Sequence, residues 1–165
     1  MECIFEYCKA DLSGDLFVVG FYATLVLITL FAAFLSQSRV IVIAAMLIAA
    51  AWVMGTVSFF YFRPPSHYLV AIVLDAMLAF CFWRMARRRS LAAVLCLIHL
   101  VDIGVIVAAL SSSFPTWWTL FTLNRLFELT LLYLIGVSLF RLHLRRQQSK
   151  SGAPFTGWRA NFMAG

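Results

Sequence analysis

The fold this sequence predicts is an all-α, polytopic integral membrane protein with five transmembrane helices in an up-down bundle, and three observations carry that prediction. Hydrophobic residues make up 64% of the chain and charged residues only 12%, against about half and about a quarter in soluble domains. Five apolar stretches reach the roughly 20 residues that a bilayer crossing needs. The breaks between them are short and polar, and short connections force consecutive spans to run antiparallel. The 165 residues are almost wholly used by these spans, which leaves no room for a separate soluble catalytic or DNA-binding domain.

The expected organisation is an acidic extracytoplasmic segment over residues 1–15, a transmembrane domain over 16–140 and a basic cytoplasmic tail over 141–165. The first segment carries Glu2, Glu6, Asp11 and Asp15 against Lys9. A secretory signal begins with a basic region and a short apolar stretch, so the apolar run that follows is read as a permanent first span. Cys3 and Cys8 precede that span on the expected oxidising side, where both a disulfide between them and two free thiols are open alternatives. Cys81 and Cys96 fall inside spans, where a thiol behaves as a small apolar residue.

The spans are Leu16 to Leu35, Val40 to Phe62, Tyr68 to Met85, Leu91 to Leu110 and Trp117 to Phe140. Each break has its own chemistry. Ser36-Gln37-Ser38-Arg39 separates the first pair, and Arg87-Arg88-Arg89-Ser90 the third and fourth spans. Pro64-Pro65 ends the second, because proline cannot continue a helix and disfavours helical geometry in the residue before it. Ser111 to Thr116 leads into the fifth. The second span is rich in small residues, and Ala51 and Gly55 have the spacing that lets helices approach closely in lipid, either within the chain or between copies.

Orientation follows from basic residues near the span ends. With the N-terminus outside, the inner side holds ten of them: Arg39, Arg84, Arg87, Arg88, Arg89, Arg141, Arg145, Arg146, Lys150 and Arg159. The outer side holds only Lys9 and Arg63. The expectation is therefore N-out and C-in, in a bacterial inner membrane. Phe59, Phe60, Tyr61, Tyr68, Trp117 and Trp118 gather at the expected outer interface and Trp83 at the inner one, as an aromatic belt would. Arg84, Arg87, Arg88, Arg89, Arg141, Arg145 and Arg146 are read as membrane-surface residues facing anionic headgroups. Positive-inside bias accounts for the pI near 9.6, and nucleic acid is not an expected partner.

Four charged residues, one histidine and one asparagine lie deep in the last three spans: Asp75, His99, Asp102, Asn124, Arg125 and Glu128. Counted from the outer span ends at about 1.5 Å per residue, Asp75, Asp102, Asn124 and Arg125 form one layer roughly 10 to 12 Å down, with His99 and Glu128 a turn deeper. Asn124 with Glu128, Arg125 with Glu128, and His99 with Asp102 have same-face helical spacing. The expectation is one buried polar cluster where three helices converge. As interhelical glue, Arg125 would pair with Asp75 or Asp102, and His99 with Glu128. Three acids would then share one permanent cation, so a protonated His99 and one protonated carboxylate complete the balance, and the site would hold exchangeable protons.

No cofactor and no metal are expected. Cys96, His99 and Asp102 step by three along one helix, but the sequence contains no HxxxH, CxxC or HExxH pattern. Nor is an enzyme expected. Two membrane aspartates serve as an acid–base pair in intramembrane aspartyl proteases, yet neither Val101-Asp102-Ile103-Gly104 nor Val73-Leu74-Asp75-Ala76 supplies an Asn-x-x-Asp type motif. His67 and His143 read as interface residues, and Tyr133 as packing. The leading functional expectation is a non-catalytic accessory, interaction or immunity/exclusion-type membrane protein, whose partners are the lipid bilayer and another membrane protein or a second copy. The alternative is a proton- or cation-handling transporter or channel-like bundle that works through the Asp/His/Arg/Glu cluster.

Overall fold

Residues 12–62, 66–86, 89–111 and 116–151 are described by a computed structural model, and among them the chain is almost entirely helical with no strand. The helices are α1 (Leu12–Ser36), α2 (Arg39–Tyr61), α3 (Ser66–Ala86), α4 (Ser90–Ser111) and α5 (Thr116–Ser151). All five are long and apolar enough to cross a membrane. Cys3 and Cys8 lie outside the described residues, as do Pro64-Pro65 and Arg87-Arg88.

Two helix boundaries differ from the sequence reading. Helix α1 begins at Leu12, inside the acidic segment. Helix α5 runs 36 residues to Ser151, about 54 Å at 1.5 Å per residue, whereas a bilayer core is about 30 Å thick. The extension follows from its composition, since Arg141 to Gln148 contains no proline or glycine and is built from good helix formers.

The helices form a closed ring in chain order: α1 packs on α2, α2 on α3, α3 on α4, α4 on α5, and α5 returns to α1. Helix α2 also touches α5 across the ring. One apolar core draws on every helix, through Val26 and Ala33, Ala44 and Ile48, Leu78 and Phe82, Leu95, and Leu131 and Leu134. Outside the ring, large side chains such as Phe31, Val53, Leu69, Leu97 and Leu132 stand exposed. An apolar exterior on this scale suits lipid as the solvent.

The small residues of α2 serve the core, but not at the pair the spacing picked out. Ala44 and Ala45 are buried, and Ala51 packs against the core. A Cβ added at Gly55 would meet nothing within 4 Å, so no neighbouring helix approaches closely there.

At the basic end of the bundle, the α1–α2 connection turns on Gln37, whose φ of 51° is in the left-handed region. Its N–H donates to Phe34 O at 3.0 Å, which closes α1, and Ser38 starts α2. The projecting part of α5 reaches across to this turn. Arg141 donates to Ser38 Oγ at 2.9 Å, while Arg145 donates to Gln37 Oε1 at 2.7 Å and to Ser36 O at 3.3 Å. These arginines, expected at the headgroup surface, therefore also tie the last helix to the first turn. Of the other surface arginines, Arg84, Arg89 and Arg146 are exposed, and Arg84 sits 6.0 Å from the Phe80 ring. At the opposite end, His67 Nδ1 lies 3.1 Å from Ser58 Oγ and joins α2 to α3.

Candidate functional site

Helix α4 buries a single stripe: Ala92, Leu95, Ile98, His99, Asp102 and Ile106. Their spacing is that of one helix face, so the same periodicity that packs leucine and isoleucine inward also turns an imidazole and a carboxylate inward. Helix α3 answers with Leu78, Ala79 and Phe82, and Asp75 continues that face one turn toward its N-terminus. The α3–α4 contact is the most extensive in the bundle, and these ionisable groups lie within it.

His99 Nδ1 is 2.9 Å from Asp75 Oδ1 and 3.6 Å from Asp102 Oδ2. The side chains are 5% exposed for His99, 10% for Asp102 and 19% for Asp75. One potential ligand atom from each of the three lies within 4.8 Å of the other two. The Phe82 ring stacks on the imidazole at 5.7 Å between centroids, 16° from parallel. Leu95 and Ile106, fully buried, sit one turn to either side of the His99–Asp102 pair along α4. Asp75 is thus the most accessible edge of an otherwise enclosed site.

Two polar atoms in the site have no hydrogen-bond partner, His99 Nε2 and Asp102 Oδ1. Buried polar atoms are paired in the great majority of cases. Nε2 lacks a partner whichever ring nitrogen carries the proton. Among the described residues the ion pairs of the site are His99 with Asp75 and His99 with Asp102, so two carboxyl groups share one imidazole.

The remaining members of the expected cluster are elsewhere. Arg125 donates to Glu128 Oε2 on its own helix, and Tyr22 of α1 donates to Glu128 Oε1 at 2.9 Å. Among the described residues the ion pairs of the buried set are His99 with Asp75, His99 with Asp102, and Arg125 with Glu128. The expected pairings of Arg125 with an aspartate and of His99 with Glu128 are corrected accordingly. Arg125 is 60% exposed, lies over the Phe121 ring at 5.0 Å, and Asn124 beside it is also exposed, so neither is buried. The reason is helical phase. Thr130, Leu131, Leu134 and Ser138 form the buried stripe of α5, and Arg125, nine residues before Leu134, is about two and a half turns away and on the opposite side.

Comparison with known protein families, curated proteins and solved structures finds no match. Tyr22 is the residue that reading the sequence missed. A buried tyrosine in the middle of an apolar span needs a partner for its hydroxyl, and that demand was the available signal. Cys96, a possible ligand by spacing, is half-buried and stands outside the Asp75, His99 and Asp102 group. Tyr133 packs against the apolar core.

Proposed function

We propose that this protein is a small multi-pass membrane protein that handles a cation at the Asp75–His99–Asp102 site between α3 and α4. One observation carries the reading: two carboxyl groups share a buried imidazole, and Arg125, the arginine at similar depth, is engaged by Glu128 instead. Intramembrane carboxylates are costly unless neutralised, and where they persist they mark ion or proton pathways. Two acids in a bilayer become neutral only by taking up positive charge, as protons or as a metal ion.

Asp75 and Asp102 each lie nine residues from the non-basic ends of their helices, about 13 Å along the axis. With the N-terminus outside and the basic end in the cytoplasm of a bacterial cell, the site opens to the outer half of the membrane through the Asp75 edge. Phe82 and Leu95, both fully buried, lie one turn from His99 on the side of the basic end. The basic residues at one end of the bundle support this orientation. Uptake by proteoliposomes tests the reading, with a pH-sensitive dye for protons and tracers for monovalent and divalent metal ions. Uptake of one class above protein-free vesicles supports it, and no uptake of any class overturns it.

A second reading, association with another membrane helix, is favoured by the exposed face of α5. Asn124 and Arg125 lie there with Phe121, Leu129 and Leu132. A Cβ at Gly136 would meet nothing within 4 Å, which leaves room for a neighbour to approach. An amide in hydrocarbon gains from a partner, and an asparagine is self-complementary, so a second copy is the occupant that fits. Cross-linking in bilayers that yields a dimer lost on Asn124→Leu supports this reading, and a monomer at every protein-to-lipid ratio rejects it.

A further inference from the structure

The cation of that site has a chemical class. We propose that Asp75, His99 and Asp102 form a binding site for a divalent first-row transition-metal ion, with one imidazole nitrogen and two carboxylate oxygens as its protein ligands. The inference rests on the cation-site reading and adds the identity of the ion.

Spacing is the first argument. Nitrogen and oxygen ligands sit about 2.0 to 2.2 Å from such a metal, so two ligands at 90° to 110° are about 2.8 to 3.6 Å apart. The distances from His99 Nδ1, 2.9 Å to Asp75 Oδ1 and 3.6 Å to Asp102 Oδ2, fall at the two ends of that range. No sequence motif announced the site because its ligands come from two helices, and 24 residues separate Asp75 from His99.

Charge is the second. When a metal displaces the protons of both carboxyls and meets a neutral imidazole, the ligand set carries two negative charges, which one divalent ion cancels, leaving a neutral assembly in the bilayer. A monovalent ion reaches neutrality only with one carboxyl still protonated. The third argument is the unpartnered Asp102 Oδ1: an enclosed carboxylate oxygen that no protein donor satisfies is a lone pair available to a metal. The stacked Phe82 ring meanwhile holds the imidazole plane in place.

Ligand type narrows the choice. Imidazole with carboxylates suits manganese, iron, cobalt, nickel and zinc, whereas magnesium and calcium prefer all-oxygen shells and copper(I) prefers sulfur. Three protein ligands also leave positions open, as in sites that exchange what they bind rather than in closed structural ones.

Cobalt(II) is the probe, because its visible d–d bands report both occupancy and coordination. The purified full chain in detergent is expected to bind one equivalent, with bands that zinc(II) bleaches by displacement. His99→Gln and Asp102→Asn are expected to weaken cobalt binding at least 100-fold, with Cys96→Ser unchanged. Asp75→Asn, at the more accessible position, serves in the same way if either of the first two variants loses its helical circular dichroism. No cobalt bound by the wild type, or binding that survives substitution of the ligands, overturns the proposal. If cations cross the membrane but cobalt does not bind, only the metal inference fails; if cobalt binds and no cation crosses, only the transport reading fails.

Discussion

Arg125 spends its charge on Glu128, three residues along the same helix, and not on either aspartate of the neighbouring helices. That pairing divides the charged and imidazole side chains at this depth into two sets. On α1 and α5, Tyr22, Arg125 and Glu128 satisfy one another. On α3 and α4, Asp75, His99 and Asp102 are left with an excess of acid. The first set is balanced and joins two helices; the second holds two carboxyl groups around one imidazole, and the cation proposal rests on it.

The balanced set should behave as a structural unit. Tyr22→Phe removes one hydrogen bond in a membrane protein, so it is expected to cost about 0.6 kcal/mol and no more than about 1.7 kcal/mol. Glu128→Gln costs more, since it leaves the Arg125 charge without a counterion in a lipid-facing position. The double variant Arg125→Met with Glu128→Gln should be closer to wild type than the sum of the singles, with a coupling of about 0.5 to 3 kcal/mol. Unfolding in mixed micelles, run as a double-mutant cycle, measures this.

The contact between α5 and the first turn predicts a difference between two arginines of like chemistry. Arg141 is half-buried and donates to the buried Ser38 hydroxyl; Arg145 is exposed. Arg141→Gln is expected to lower stability by about 1.5 to 3 kcal/mol, as for a hydrogen bond to a charged group. Arg145→Gln should cost about 1 kcal/mol or less, as for an exposed charged contact. Thermal unfolding of the two variants side by side checks the order.

Phe82 is fully buried and packs on the imidazole. Phe82→Ala is expected to destabilise the bundle by about 3 to 5 kcal/mol through the cavity it leaves. It should also free the His99 ring, which would appear in NMR as a loss of the ring-current shift on the imidazole protons. Phe82→Leu keeps most of the volume and should recover most of the stability while still losing that shift.

Orientation is tested by fusions. A fluorescent protein that folds only in the cytoplasm, joined after Gly165, should fluoresce in a bacterial host, and alkaline phosphatase joined there should be inactive. The opposite pattern would reverse the assignment of both ends.

Fold and site were legible in the sequence to different degrees. Hydrophobic length and short polar breaks set the five helices within a few residues, because the bilayer imposes one long run per crossing. The α5 extension lay outside that rule, since beyond the lipid a helix ends only where the chain supplies a breaker. Depth was legible as well: Asp75, Asp102 and His99 meet where a rise of about 1.5 Å per residue puts them. Phase was not. With no strong apolar moment in spans that are hydrophobic all round, nothing on α5 distinguished the stripe of Leu131 and Leu134 from the opposite stripe of Arg125 and Leu132. Tyr22 was likewise hidden by its apolar surroundings.

The most direct test of the central claim compares cation uptake by proteoliposomes holding wild-type protein, Asp102→Asn and Arg125→Gln, each confirmed to be folded by its helical circular dichroism. If the α3–α4 set is the working site, Asp102→Asn abolishes uptake and Arg125→Gln retains most of it. Loss of uptake in Arg125→Gln with Asp102→Asn unaffected would contradict the account.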